Sequence, residues 1–267
     1  MWVNLGITLS GFVVGAFVNY LADVLPIHRR LAQPTCLNCG RAQPLLNYLV
    51  WPRRCPHCGR GRPWRVWLVE LGSAVAFVAL WNDPALRTFA GFWPAGLLLA
   101  YFLLVVVIDV EWRLILHPVS LFGALLALIL GVWMHGAINT FVGAAAGYLI
   151  MLAFYFLGGI FARALARLRK QTFDDVALGY GDVNLTGVLG LLLGWPNILL
   201  GLLIAVFTAG IFSAAWMLIL IATRRYRTFN AIPYGPFLIF GAGILLYLPS
   251  QAQNVLRRFG PLFWLAP

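Results

Sequence analysis

The chain has 267 residues and a net charge of +11, yet only 10% of its residues are charged and 62% are hydrophobic. Soluble domains carry about 25% charged residues, so a water-exposed globular surface is excluded. The basic excess lies in short segments between long apolar blocks, which reads as membrane topology and contact with anionic lipid, not as nucleic-acid binding.

A membrane-crossing helix needs about 20 apolar residues. Spans are expected near residues 5–25, 66–82, 91–110, 114–133, 138–162, 183–197, 198–222 and 232–249, eight in all with seven as the alternative. The apolar N-terminus has no basic flank and no small-residue cleavage site, and is read as a retained first span and not a removed signal peptide. Gly194-Trp195-Pro196 marks a tight turn between the sixth and seventh spans. The expected fold is an all-α polytopic membrane protein of about eight transmembrane helices. Its parts are a first helix over 1–26, a hydrophilic loop over 27–65, a transmembrane core over 66–249 and a C-terminal tail over 250–267. Arg29 to Arg65, Arg113, Arg163 to Lys170 and Arg224 to Arg227 together hold sixteen of the nineteen basic residues. Placing them in the cytoplasm sets the N-terminus outside.

The 27–65 loop contains every cysteine of the chain: Cys36, Cys39, Cys55 and Cys58. The spacing Cys-x2-Cys-x15-Cys-x2-Cys is that of two knuckles closing a four-thiolate zinc site. Gly40 and Gly59 follow the second cysteine of each pair, where such a knuckle turns sharply. A reducing cytoplasm argues against disulfides. Four protein ligands leave no open position, so the expected Zn2+ is structural and folds a loop too small for its own core. His57, within the second knuckle, is an alternative ligand that reads more simply as a solvent-facing residue.

Eight acidic residues exist: Asp23, Glu70, Asp83, Asp109, Glu111, Asp174, Asp175 and Asp182. A carboxylate at mid-bilayer costs about 2.5–3.5 kcal/mol, so those at span ends face water or have a task. Asp109 closes the third span and Asp182 opens the sixth, both at the cytoplasmic edge in this topology. Gly179 and Gly181 before Asp182 let the backbone bend and let a substrate strand approach. Two carboxylates sharing a proton supply a general base and a general acid, which suffices for peptide hydrolysis without a metal. Solvated boundary charges are the competing reading. Glu111 competes with Asp109, Asp174 and Asp175 read as loop surface, and Asp23 and Glu70 lie where either can pair with arginines.

These segments resemble the type IV prepilin peptidases. Gly179-Tyr-Gly-Asp182 resembles the GxGD active-site motif of that family. Ile108-Asp109-Val-Glu-Trp-Arg-Leu-Ile-Leu-His-Pro118 resembles its other aspartate segment, and Gly15-Ala-Phe-Val-Asn19 through Leu25-Pro26 its N-terminal signature. The four cysteines match its cytoplasmic zinc loop, Val69-Glu70 its following span, and Ile232-Pro-Tyr-Gly-Pro236-Phe its final-span motif. Three positions depart from the pattern: Pro118 stands nine residues after Asp109 instead of seven, Asn184 replaces a lysine, and Asp23-Val24 replaces an aromatic–arginine pair. The resemblance implies a multi-pass protein of the bacterial cytoplasmic membrane that cleaves prepilin or pseudopilin leaders after a glycine on the cytoplasmic side. Asp109 and Asp182 inherit the catalytic role, supported by Gly179, Gly181, Glu111 and Glu70. The bifunctional members then methylate the new N-terminus from S-adenosylmethionine.

The alternative from another class is a non-enzymatic membrane scaffold or transporter with a zinc-stapled docking loop. A transporter places charges near the bilayer midplane, and the interiors of the clearest spans carry none. A metalloprotease is disfavoured because no HExxH occurs and the four histidines are scattered. Oligomeric state is not legible.

Overall fold

The computed structural model describes residues 2–36, 38–49, 53–169, 179–224 and 233–250. It divides into two compact units, Met1–Pro118 and Val119–Pro267. Asp174 and Asp175, the rest of segment 170–178, Ile232 and the tail beyond residue 250 lie outside the described residues.

The first unit holds α1 (Trp2–His28), the short α2 (Leu45–Leu49), α3 (Arg65–Asn82), a 3-10 turn (Pro84–Arg87) and α4 (Phe92–Trp112). Asp83 starts the 3-10 turn by accepting from the Ala85 N–H at 2.9 Å, with Pro84 fixing the first position. α1 and α3 meet at backbone contact because α1 presents glycine there. A methyl added at Gly11 would lie 2.8 Å from the Ala74 Cα, and one at Gly15 would lie 2.7 Å from the Glu70 Cα. Small residues four apart are how helices approach closely where no hydrophobic effect drives them together. Gly15 of the N-terminal signature therefore has a packing role. α4 buries Leu98, Tyr101, Phe102, Val105 and Ile108. It ends where Arg113 takes a left-handed conformation (φ 52°) and its N–H donates to the Asp109 carbonyl at 2.9 Å.

The second unit comprises α5 (His117–Arg169), most of which lies past the boundary, with α6 (Tyr180–Leu193), α7 (Asn197–Ala222) and α8 (Gly235–Tyr247). A straight helix of 53 residues would run about 80 Å, far beyond the ~30 Å hydrocarbon core. The chain instead breaks at Gly136 (φ 77°, ψ 163°), and Thr140 comes back against Gly131, whose added methyl would lie 3.1 Å from the Thr140 methyl. Only a chain reversal brings residues nine apart into contact, so α5 is two apolar arms, matching the fourth and fifth expected spans. The second arm locks onto α6 through paired glycines. A methyl at Gly143 would lie 2.5 Å from the Gly190 carbonyl oxygen, and one at Gly190 would lie 2.3 Å from that of Gly143. Gly241 of α8 meets the Gly201 carbonyl of α7 in the same way, at 2.3 Å.

Among the described residues, five helical segments are long and apolar enough to cross a membrane: Trp2–His28, Arg65–Asn82, Phe92–Trp112, His117–Phe161 and Asn197–Ala222, with α6 and α8 apolar but shorter. α7 buries only Ile198, Gly201, Leu202 and Ala205, while Phe207, Ile211 and Leu218 are exposed. A helix apolar on all sides and buried on one belongs in lipid. The chain is a multi-pass all-α membrane protein, and the described residues contain no strand beyond two isolated bridges.

Candidate functional site

The cysteine loop is built from two copies of one turn. In the first, the Cys36 N–H donates to the Arg41 carbonyl at 2.9 Å and the Gly40 N–H to the Cys36 carbonyl at 2.8 Å. In the second, Cys55 donates to Arg60 at 3.0 Å and Gly59 to Cys55 at 2.9 Å. Gly40 and Gly59 take φ of 70° and 68°, the left-handed region the spacing called for. All four sulfurs lie within 4.8 Å of one another, with Cys36–Cys58 and Cys39–Cys55 each at 3.7 Å. Tetrahedral zinc–sulfur bonds of about 2.3 Å separate their sulfurs by about 3.8 Å, whereas a disulfide bond is about 2.05 Å. The arrangement fits a four-thiolate metal. Burial opposes ionising Cys36, yet the backbone amides of Cys39 and Asn38 and the neighbouring thiols outweigh it and bring its thiol down to about 7. His57 is excluded from this cluster and sits beside Arg41, 3.5 Å from its guanidinium.

Behind the second knuckle lies a cluster of buried charges that spacing did not reveal. Asp23, in the last turns of α1, accepts from Arg62 at 2.7 Å on one carboxylate oxygen and from Arg65 at 2.6 Å on the other. The Tyr48 hydroxyl also donates to Asp23, and the Arg62 guanidinium lies 3.7 Å from the Tyr48 ring centroid. Burial and the Asp23 carboxylate push the Tyr48 phenol well up, so it stays a donor. Arg65 reaches on to Glu111 in the last turn of α4. A second ion pair joins Arg53 to Glu70 at 2.6 Å, with Asn19 donating to Glu70 at 3.5 Å and to the Val66 carbonyl at 3.1 Å. Glu70 is 0% exposed. Asp23 and Glu70 thus have the arginine partners their positions suggested, and Glu111 is an ion-pair partner of Arg65.

Asp109 belongs to the first unit and Asp182 to the second, and each is buried, at 5% and 8% exposure. Asp109 is two residues before Glu111, within the turn that Arg113 closes. Asp182 was expected at the opening of a helix from residue 183. The helix instead begins at Tyr180, so Asp182 sits inside its first turn. Its carboxylate accepts the Gly179 N–H at 3.2 Å while its own N–H donates to the Gly179 carbonyl at 3.1 Å, the reciprocal pattern that starts helices. Thr186 donates to the Asp182 carbonyl at 2.7 Å. Tyr180, the variable residue of the motif, is hydrogen-bonded to Tyr148 at 2.7 Å and packs edge-on against Tyr155. Tyr234 stands just before α8 and packs its ring against Phe237. The sequence marked the segment around Tyr234 only as part of a motif.

Comparison with known proteins agrees with these features in order along the chain. Residues 9–83 match the bacterial peptidase A24 N-terminal domain, and residues 96–214 match the type IV leader peptidase family. A prepilin leader peptidase/N-methyltransferase of Pectobacterium carotovorum subsp. carotovorum is 30% identical over 86% of this chain and 88% of its own length. Proteins of the same name from Burkholderia pseudomallei (strain K96243) and Aeromonas salmonicida (strain A449) are 28% and 30% identical. They are matched over 89% and 76% of this chain and 82% and 65% of their own lengths. No solved structure matches the chain. The order of these matches, the four-thiolate loop and the GxGD turn at the start of α6 have one explanation: the chain belongs to the type IV leader peptidase family.

Proposed function

We propose that this protein is a membrane aspartic endopeptidase that cleaves the leader of a type IV prepilin or pseudopilin after a glycine, with Asp109 and Asp182 as its two catalytic carboxylates. The observation that carries this reading is Asp182, a buried carboxylate held in the first turn of α6 by the Gly179 amide, within the GxGD sequence. In the reaction, one ionised carboxylate takes a proton from water as its oxygen adds to the scissile carbonyl carbon. The other, protonated, carboxyl donates to the departing amide nitrogen as the C–N bond breaks. Two buried carboxylates differ in protonation readily, because a nearby like charge disfavours the second ionisation. Gly179 and Gly181 leave room beside Asp182 for an extended substrate strand.

The reading includes eight membrane crossings in the bacterial cytoplasmic membrane, with the N-terminus outside and both aspartates facing the cytoplasm. The distribution of arginine and lysine supports that orientation, and the basic loops contact anionic lipid. One Zn2+ is held by Cys36, Cys39, Cys55 and Cys58, where it supplies folding energy to the loop and no chemistry to the peptide bond. After cleavage, S-adenosylmethionine serves as methyl donor to the new N-terminal amine. The names of the relatives and the match to the N-terminal domain support that second step. Mass spectrometry of a prepilin incubated with the purified protein tests both steps. The expected product begins one residue after a glycine and, with the donor present, carries one added methyl group. An intact substrate would refute the peptidase, and a cleaved but unmethylated one would refute the second activity alone.

A further inference from the structure

We propose that Arg65 is a positioning residue for Asp109, acting through Glu111 to tie the last turn of α4 to the end of the cysteine loop. The inference rests on the reading of Asp109 as a catalytic carboxylate. Glu111 lies where a helix is least suited to it. The C-terminal end of a helix carries partial negative charge, and the last turn of α4 contains no basic residue. The conflict is resolved from outside the helix: Arg65, the first residue of α3, donates to Glu111 through one nitrogen and to Asp23 of α1 through another, at 2.6 Å. One guanidinium therefore pins α1, α3 and α4 at a single point. Its planar fork makes this a fixed geometry, which a lysine ammonium would not impose as strictly.

The cluster sets Asp23 and Glu111 against Arg62 and Arg65, so truncating either end of the Arg65–Glu111 pair leaves the other without its hydrogen-bond partner. Arg62 follows Cys58 by four residues and pairs with the same Asp23. The second knuckle, Arg62, Asp23, Arg65 and Glu111 are thus consecutive links. Asp109 is at the far end, two residues back from Glu111 in a turn whose backbone is already closed by the Arg113 N–H at 2.9 Å. The backbone bond sets the turn, and the side-chain bond sets where that turn is held. A local rule broken by Glu111 and answered by a partner from another helix is the pattern expected near a functional group.

Kinetics on the full-length protein with a purified prepilin test this, using Glu111→Ala, Glu111→Gln, Arg65→Ala, Arg65→Lys and Asp109→Asn. A misplacement of about 1 Å costs on the order of a hundredfold in rate. The alanine variants are therefore expected to lose roughly tenfold to a hundredfold in kcat with KM unchanged. Glu111→Gln, still an acceptor for Arg65, should recover most of that loss, whereas Arg65→Lys, which lacks the fork that holds both carboxylates, should recover only a small part of it. Should Arg65→Ala fail to fold, the two Glu111 variants carry the comparison, because Glu111 is the most exposed member of the cluster at 31%. Glu111→Gln as inactive as Glu111→Ala would overturn the inference, since the charge itself would then be required. Wild-type kcat in the alanine variants, or a change confined to KM, would overturn it equally. Asp109→Asn separates the two levels: full cleavage by that variant removes the underlying reading, whereas its inactivity beside unaffected alanine variants removes only the positioning role.

Discussion

Glu70 and Arg53 show how strongly single residues are constrained in the first unit. The Glu70 carboxylate is wholly buried beside the α1–α3 glycine contact, and Arg53 is the cation that neutralises it. Arg53 also donates to the Leu49 carbonyl at 2.8 Å and lies over the Trp67 ring at 5.1 Å. Glu70→Ala would leave a buried guanidinium without its counter-charge, which costs about 3–5 kcal/mol. Thermal unfolding of the detergent-solubilised variant should show a clearly lowered midpoint, with Glu70→Gln milder because it still accepts a hydrogen bond. An unchanged midpoint for Glu70→Ala would mean that the pair contributes nothing to the fold. At this scale the sequence revealed part of the picture. Glu70 and Asp23 stand out because acidic residues are so few, and each lies near several arginines. Which arginine pairs with which was hidden: Glu111 and Arg65 are 46 residues apart, and only the packing of three helices brings them together.

Among the elements, α6 depends most on close backbone contact. Gly190 touches Gly143 of α5, and Gly147 faces the Thr186 carbonyl, with an added methyl 2.9 Å away. Gly190→Val would force these backbones apart, and overpacking of this kind costs about 1–3 kcal/mol. Because α6 carries Asp182 on its first turn, the variant should lose activity as well as stability. Cleavage assays and melting curves on the same preparation would show the two falling together. The reversal at Gly136 was legible as a break between two apolar blocks. The start of α6 was not, because Gly179-Tyr180-Gly181 reads as loop by propensity. The Asp182 carboxylate supplies the helix start that those glycines lack, so the catalytic candidate also nucleates its own helix. The glycines needed for close approach are therefore compatible with helical backbone.

For the whole molecule, composition and charge settle the class, since a chain with so few charges and such long apolar blocks has no soluble alternative. The four-thiolate loop was legible down to its positive-φ glycines because knuckle geometry is local. Elemental analysis of the purified protein should find one zinc per chain, and Cys36→Ser should lower it markedly while loosening the loop. Metal-free protein with an intact, protease-resistant loop would contradict a structural zinc. The pairing of Asp109 with Asp182 as catalytic carboxylates remains a proposal that rests on the resemblance of separate segments, because the two residues belong to different compact units.

The most direct test of the catalytic assignment is cleavage of a purified prepilin by wild type, Asp109→Asn and Asp182→Asn, each checked for wild-type melting behaviour. Asparagine keeps the size of aspartate and one acceptor oxygen but can be neither general base nor general acid. Both variants are expected to release no leader above background while wild type processes the substrate fully. Full processing by either variant would contradict the account.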